Sequence, residues 1–143
     1  MIQRWIRQLI AVSLVIFLTA CGASAPPIGL APNTDIIKKA IALQVERTQQ
    51  QVSQQLQVKN SEFKIVKIHL KQVEPLYIGK LATYHLLGTY ELNLNLPNQK
   101  VKQKNNEFEL YLQRQKEGKT WRWLKKEMDE SDSSLKWFSF LVH

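Results

Sequence analysis

The sequence predicts an α+β fold, with one long N-terminal helix packed on a curved four-stranded antiparallel sheet. Three observations predict it. From Leu81 to Leu96 every even position (Ala82, Tyr84, Leu86, Gly88, Tyr90, Leu92, Leu94, Leu96) is apolar, aromatic or glycine, and the odd positions are mostly polar. A sustained period of two marks a strand with one buried face. Ahead of it, Ile37, Ile41, Val45, Thr48, Val52 and Leu56 recur at spacings of three and four, the stripe of an amphipathic helix. After it, turn-rich segments at Pro97 to Lys100 and Lys116 to Lys119 separate further strand-like runs.

The chain divides into residues 1–20, residues 21–33 and a single domain over residues 34–143. Arg4 and Arg7 give the first segment a basic start, and Leu9 to Leu18 is an apolar run. That run has the length of a signal-peptide core and falls short of the roughly 20 residues a membrane-spanning helix needs. It ends in Leu18-Thr19-Ala20-Cys21, which resembles the lipobox of bacterial lipoproteins. The resemblance implies that Cys21 becomes the mature N-terminus and carries lipid chains. It further implies a protein anchored to a membrane and facing the periplasm or another extracytoplasmic space. At about 0.8 kcal/mol per buried methylene, two or more chains anchor stably. The other reading is a secreted protein in which Cys21 lies near the cleavage site by chance.

Cys21 is the single cysteine, so the sequence offers no disulfide. If its sulfur carries lipid, a thiol nucleophile and a cysteine-ligated metal are excluded too. Without residues 1–20, Lys plus Arg falls from 20 to 18 against 12 acids, a net charge of +6. That balance suits anionic headgroups or an acidic partner, or is simply a solvated face.

Gly22 to Pro32 is small and proline-rich and reads as a flexible tether. Asn33 or Thr34 is the expected helix N-cap, and Asp35 favours the positive helix start. The helix should then run to about Gln57. Phe63 to Val73 is the next strand, with a change of parity that suggests a β-bulge near Ile65-Val66, and Pro75 should end it. A central strand from Leu81 to Leu96 would reach about 53 Å, against about 34 Å for the helix. It must therefore bend or project, and Gly88 allows a kink and close approach of the helix.

A third strand returns from Val101 to about Gln115. Pairing Leu96 with Lys102 sets Tyr90 against Phe108 and Leu86 against Leu112, but leaves Leu94 against Lys104. A bulge at Asn105-Asn106 would reset the register. Thr120 to Leu124 is the fourth strand, Met128 to Ser134 a loop, and Leu135 to His143 is apolar enough to pack as a short strand or helical turn. The closing stretch, in which Gly118 and Lys119 precede Trp121 and Trp123, resembles the last hairpin of the nuclear transport factor 2-like superfamily. That resemblance implies a roll-shaped domain. The superfamily normally has two or three helices before its sheet, and the single helix here suits a cystatin-like roll equally.

Some members of that superfamily are isomerases or dehydratases that use Asp, His and Tyr inside the roll. Here Asp35, Asp129 and Asp132 all fall outside the four-strand core, so no inward aspartate can serve as a general base. Glu91 should point outward. No catalytic residue is therefore assigned. His69 and His85 could meet on neighbouring strands, but zinc needs three or four ligands and no metal-binding spacing occurs. Neither a metal nor a cofactor is expected.

Tyr84, Tyr90, Trp121 and Trp123 share the inward face and would either line a small pocket with hydroxyl handles or fill the core. At the hairpin tip, Leu92, Leu94 and Leu96 lie beside Lys100, Lys102 and Lys104. If the tip projects, this is a ridge for an envelope protein or an anionic surface; otherwise the lysines guard an edge and the tail Trp137 to Val142 covers the leucines. Nucleic acid is not expected, since no exposed aromatics accompany the lysines. The sequence thus reads as a lipid-anchored envelope protein with a non-catalytic binding or assembly domain. A small-molecule-binding roll with weak enzymatic activity is the second reading.

Overall fold

A computed structural model describes residues 24–56 and 61–143. The leader and Cys21 lie outside the described residues. One helix packs on an open antiparallel sheet of five strands in sequential order. The strands are β1 (Glu62–Ile78), β2 (Leu81–Asn95), β3 (Lys100–Arg114), β4 (Trp121–Met128) and β5 (Leu135–Val142). The α+β class holds, but the sheet has five strands rather than four. The fifth is the apolar tail, paired along its whole length with β4 from Trp121↔Val142 to Met128↔Leu135.

Helix α1 (Thr34–Leu56) begins at Asn33. The Ile36 amide donates to the Asn33 side-chain oxygen at 3.0 Å, and the Ile37 amide donates to the Asn33 carbonyl. That is the geometry of an N-cap. Ile37, Ala40 and Ile41 sink into the sheet, whereas Val45 is half-buried and Thr48 and Val52 are exposed. The apolar stripe is therefore used only over the first half of the helix. Its flank runs beside Phe63 and Ile65 of β1, and Arg47 reaches across to β5, its guanidinium 3.6 Å from the centre of the Phe140 ring.

Strand β1 does not end at Pro75. It continues to Ile78, with Pro75 opposite Tyr84, and turns through Gly79 and Lys80, both at positive φ. An edge strand tolerates a residue without an amide hydrogen, because that position can face solvent. The expected irregularity at Ile65-Val66 is displaced. Register shifts occur between Val66 and His69 and between Leu70 and Gln72, and Lys67 sits at φ 50°.

Strand β2 carries the core, with Tyr84 and Leu86 fully buried and Leu92 6 % exposed. Its pairing with β3 differs from the expected register by two residues: Leu86 faces Leu110, Gly88 faces Phe108 and Tyr84 faces Leu112. A shift of two preserves which face is buried. The bulge expected at Asn105-Asn106 is present. Tyr90 pairs with Asn106 and Leu92 with Gln103, and Asn105 has φ 56°. Beyond it Leu94 faces Val101, so the apolar pairing extends to the hairpin tip.

Gly88 is required by packing, though not against the helix. A Cβ there would lie 2.3 Å from the His69 carbonyl oxygen and 2.7 Å from the Phe108 ring. It is the irregular stretch of β1, not α1, that crowds this position.

Strand β3 pairs with β4 only from Tyr111↔Leu124 to Arg114↔Trp121. The β4–β5 hairpin therefore splays away from the first half of β3. A recess of about 430 Å³ opens there, lined by Gln44, Tyr111, Trp123 and Trp137 among others.

Candidate functional site

The four aromatic residues expected to share one face do not form one pocket. Tyr84 meets Trp121, ring centres 6.0 Å apart, and Trp123 packs against Phe140 at 5.2 Å. All three of Tyr84, Trp121 and Trp123 are buried. The hydroxyl that could have gripped a ligand is already occupied: Tyr84 donates to the Pro27 carbonyl at 2.7 Å. Burial raises the Tyr84 pKa above the ordinary phenolic value, opposed in part by Arg114 and reinforced by Tyr77. This group is core.

The residue that fills Tyr84's bonding capacity comes from the segment read as a flexible tether. Pro26 and Pro32 are buried, Ala31 packs against the core, and Ile28–Leu30 forms a single 3-10 turn. From Pro26 onward this segment packs on the domain. Proline-rich composition was compatible with both outcomes, because proline also packs well as a pre-ordered strap.

Tyr90 stands apart from the other three. It tilts against Phe108 at 6.4 Å and borders an open recess of about 450 Å³, shared with Val45, Thr48, Leu92, Leu94 and Gln103. Burial raises its pKa as well.

The leucine ridge is not exposed. Leu92 belongs to the core, and Leu94 and Leu96 are half-buried. The tail does not cover them, since β5 lies at the far edge of the sheet. Val101 pairs with Leu94, and α1 side chains stand beside Leu92 and Leu94 instead. Lys100, Lys102 and Lys104 are exposed along the stretch of β3 that has no partner on the β4 side. The Glu91 carboxyl, only 5 % exposed, pairs with Lys67 at 3.0 Å. The Lys67 hydrogen bond holds the Glu91 pKa below the usual carboxylate range, and Lys102 and Lys104 add to the effect. Lysines along an unpaired strand guard against stray pairing.

Thr83, Glu91 and Gln113 are the buried polar residues among those described, and by their register all three face away from the helix. Asp35 lies in the first helical turn, and Asp129 and Asp132 lie in the β4–β5 turn. His69 sits opposite Thr89 and His85 opposite Glu74, so the two histidines are not brought together. His85 lies 2.7 Å from Glu109 and 3.4 Å from Glu74, and it stacks on Tyr111 at 4.2 Å. Among the described residues, no group of three or more His, Cys, Asp or Glu is arranged to hold a metal ion.

One surface went unassigned in the sequence. On the side of β4 and β5 away from the helix, Tyr111 meets Trp137 edge-on at 5.0 Å, and Leu135, Met128 and Trp137 are exposed there, while Phe138 is exposed on the opposite face. The turn joining these strands is stitched by charge. Lys136 bridges Asp129 and Asp132 at 2.7 Å each, and each aspartate also accepts from the backbone amide and hydroxyl of a serine two residues on. The apolar density of Leu135 to Val142 was the available signal, but it marked packing without saying at which edge.

Compared with known proteins, the chain matches no family model, no curated protein and no solved structure. Among the described residues, no helix is long and apolar enough to cross a membrane.

Proposed function

We propose that the chain is a lipid-anchored envelope protein whose domain is a non-catalytic assembly module, and that its partner adds an extended segment to the β5 edge. The lipobox at Leu18 to Cys21 supports the anchor. A single helix over an open meander sheet supports a cystatin-like roll over one with two or three helices. The observation that carries the assembly reading is the contrast between the two sheet edges.

The β1 edge is interrupted by two register shifts and Pro75, and it carries three lysines, of which Lys67 and Lys71 are engaged by Glu91 and Glu107. The β5 edge has no register shift and no proline. Its only charge, Lys136, is engaged by Asp129 and Asp132, and Leu135, Trp137 and Phe138 are exposed beside it. A regularly paired, largely apolar edge whose own charge is already engaged is the form that β-augmentation uses, with backbone bonds giving affinity and alternate side chains giving selectivity.

Photo-reactive residues at Leu135 and Trp137, with a control at Leu96, test this in membranes. A discrete cross-linked band from the β5 positions alone supports the reading. A band at twice the chain's mass would make the partner a second copy. No band from β5, or an equal band from Leu96, would overturn it.

The small-molecule reading draws on open recesses within the volume range of ligand sites, roughly 300–1,000 Å³: one of about 790 Å³ between α1 and β1, beside Lys38, Phe63 and Ile65, and the one beside Tyr90, which has more apolar and aromatic wall residues. Its walls are Val45, Leu92, Leu94 and Phe108, with Gln103 and Thr48 as polar groups. Quenching of an apolar fluorescent probe, lost in Tyr90→Ala, would favour it.

A further inference from the structure

Pro26 is buried, and five peptide steps separate it from Cys21. Fully extended, that span reaches at most about 18 Å. The end of the domain where Pro26 and Pro27 are held must therefore be the end nearest any lipid on Cys21.

That end is identifiable. Pro27 accepts from the Tyr84 hydroxyl, and Tyr84 stands near the start of β2 with its ring 6.0 Å from that of Trp121, the residue paired with Arg114. The Arg114 guanidinium in turn binds the Gly118 carbonyl at 2.9 Å and 3.1 Å, in the β3–β4 turn. The β1–β2 turn at Gly79 and Lys80 closes the same end, next to Tyr77. Here the surface is unlike the rest of the strap. Ile28 is 58 % exposed, Leu30 44 % and Tyr77 47 %. Lys80, Lys116 and Lys119, all exposed, stand in the two turns. The one acid in those turns, Glu117, is engaged by the Thr120 amide at 3.1 Å.

We propose that this end of the domain is a membrane-contact surface for an anionic phospholipid bilayer. Ile28, Leu30 and Tyr77 enter the interface, and Lys80, Lys116 and Lys119 meet the headgroups. Aliphatic and tyrosine side chains rimmed by lysine suit the boundary between acyl chains and headgroups, where the lysine stems also find apolar surroundings. The short chain to Cys21 presents this end to the bilayer, so this inference rests on the lipid-anchor reading. Its consequence is orientation. The Pro97–Gln99 hairpin tip, at the other end of β2 and β3, points away from the membrane.

The domain's own sequence holds no cysteine, so single cysteines can report depth. Ile28→Cys, Leu30→Cys and Lys119→Cys, with Gln99→Cys as the distal control, are labelled with an environment-sensitive fluorophore. The chain purified from membranes is placed in vesicles of phosphatidylcholine with phosphatidylglycerol and brominated lipid. The expected result is strong quenching at 28, 30 and 119 and none at 99. Charge reversal at Lys80, Lys116 and Lys119 together should weaken the quenching several-fold. Equal quenching at both ends, or quenching at 99 alone, would overturn the proposal.

The Cys21→Ser chain separates the two claims. If the same end still meets phosphatidylglycerol vesicles at low salt, and mass spectrometry finds no acyl chains on the unmutated protein, the surface stands and the anchor reading fails. If acyl chains are present but no label is quenched, the surface fails alone. Loss of both sinks both.

Discussion

At the scale of single residues, Gly88 and Tyr84 carry the clearest consequences. A methyl group at Gly88 would have to displace the His69 carbonyl, which is backbone and cannot swing aside. Overpacking of that kind costs about 1–3 kcal/mol. Gly88→Ala should therefore lower the urea midpoint with an unchanged slope. Tyr84→Phe removes one hydrogen bond, worth about 1 kcal/mol, and should raise hydrogen exchange in residues 26–32 far more than in β2. Neither role was readable from sequence. Periodicity placed Gly88 and Tyr84 on the buried face, as the structure does. Which atom would meet a Cβ, or accept from a hydroxyl, depends on where distant segments cross.

At the scale of elements, the β4–β5 turn is an electrostatic clasp with a defined pH range. Asp129 is held down to about 2, first by its bond to Lys136 and then by Ser131. Asp132 is lowered for the same kind of reason, and Lys136 is raised by both carboxylates. A depressed carboxylate pKa contributes stability above its unfolded value and loses it as pH falls through the folded one. A raised lysine pKa contributes below its unfolded value and loses its share at higher pH. The clasp should thus be complete near neutrality and loosen from about pH 4 toward about pH 2. Protection of the Ser131 and Ser134 amides, followed by exchange-detected NMR, should fall across that window. The Lys67–Glu91 pair should weaken in acid in the same sense, since the Glu91 pKa is also depressed.

The elements also show what the sequence carried. Asn33 as cap, the alternation of β2 and the bulge at Asn105 were all legible, because each depends on neighbours in the chain. The two-residue error in the β2–β3 register has a simple origin. Matching Tyr90 to Phe108 looked favourable, but the turn closes with Leu96 donating to Gln99, which fixes Asn95 against Lys100. Turn geometry outweighs side-chain matching in a hairpin. Pro75 misled for a related reason, since its tolerance depends on β1 being an edge, which is a property of the assembled sheet.

At the scale of the molecule, the two sheet edges differ in kind, and that difference is what the assembly reading uses. Leu135→Lys places a charge at an exposed edge position and should leave the thermal midpoint nearly unchanged while abolishing the β5 cross-link. The same substitution at buried Leu92 should unfold the domain instead. The sequence indicated a domain with an apolar tail and a lysine-rich hairpin and placed the candidate interaction surface on the hairpin, whereas the assembly proposal places it on the tail. Leu92, Leu94 and Leu96 looked unpartnered only while Lys102 and Lys104 stood opposite them. With the bulge in place Val101 and Gln103 take those positions, and the exposed apolar surface passes to the other end of the sheet.

The bond between Tyr84 and Pro27 joins residues 57 positions apart. Such a closure cannot form early, because loop entropy must be met before the contact rewards it. The strap can settle only once β2 is in place to receive it, so it is among the last parts of the chain to lose its freedom. Until then Pro26, Ala31 and Pro32 have no surface to pack against, so the strap reports the closing of the sheet and its loss is the first sign of its opening.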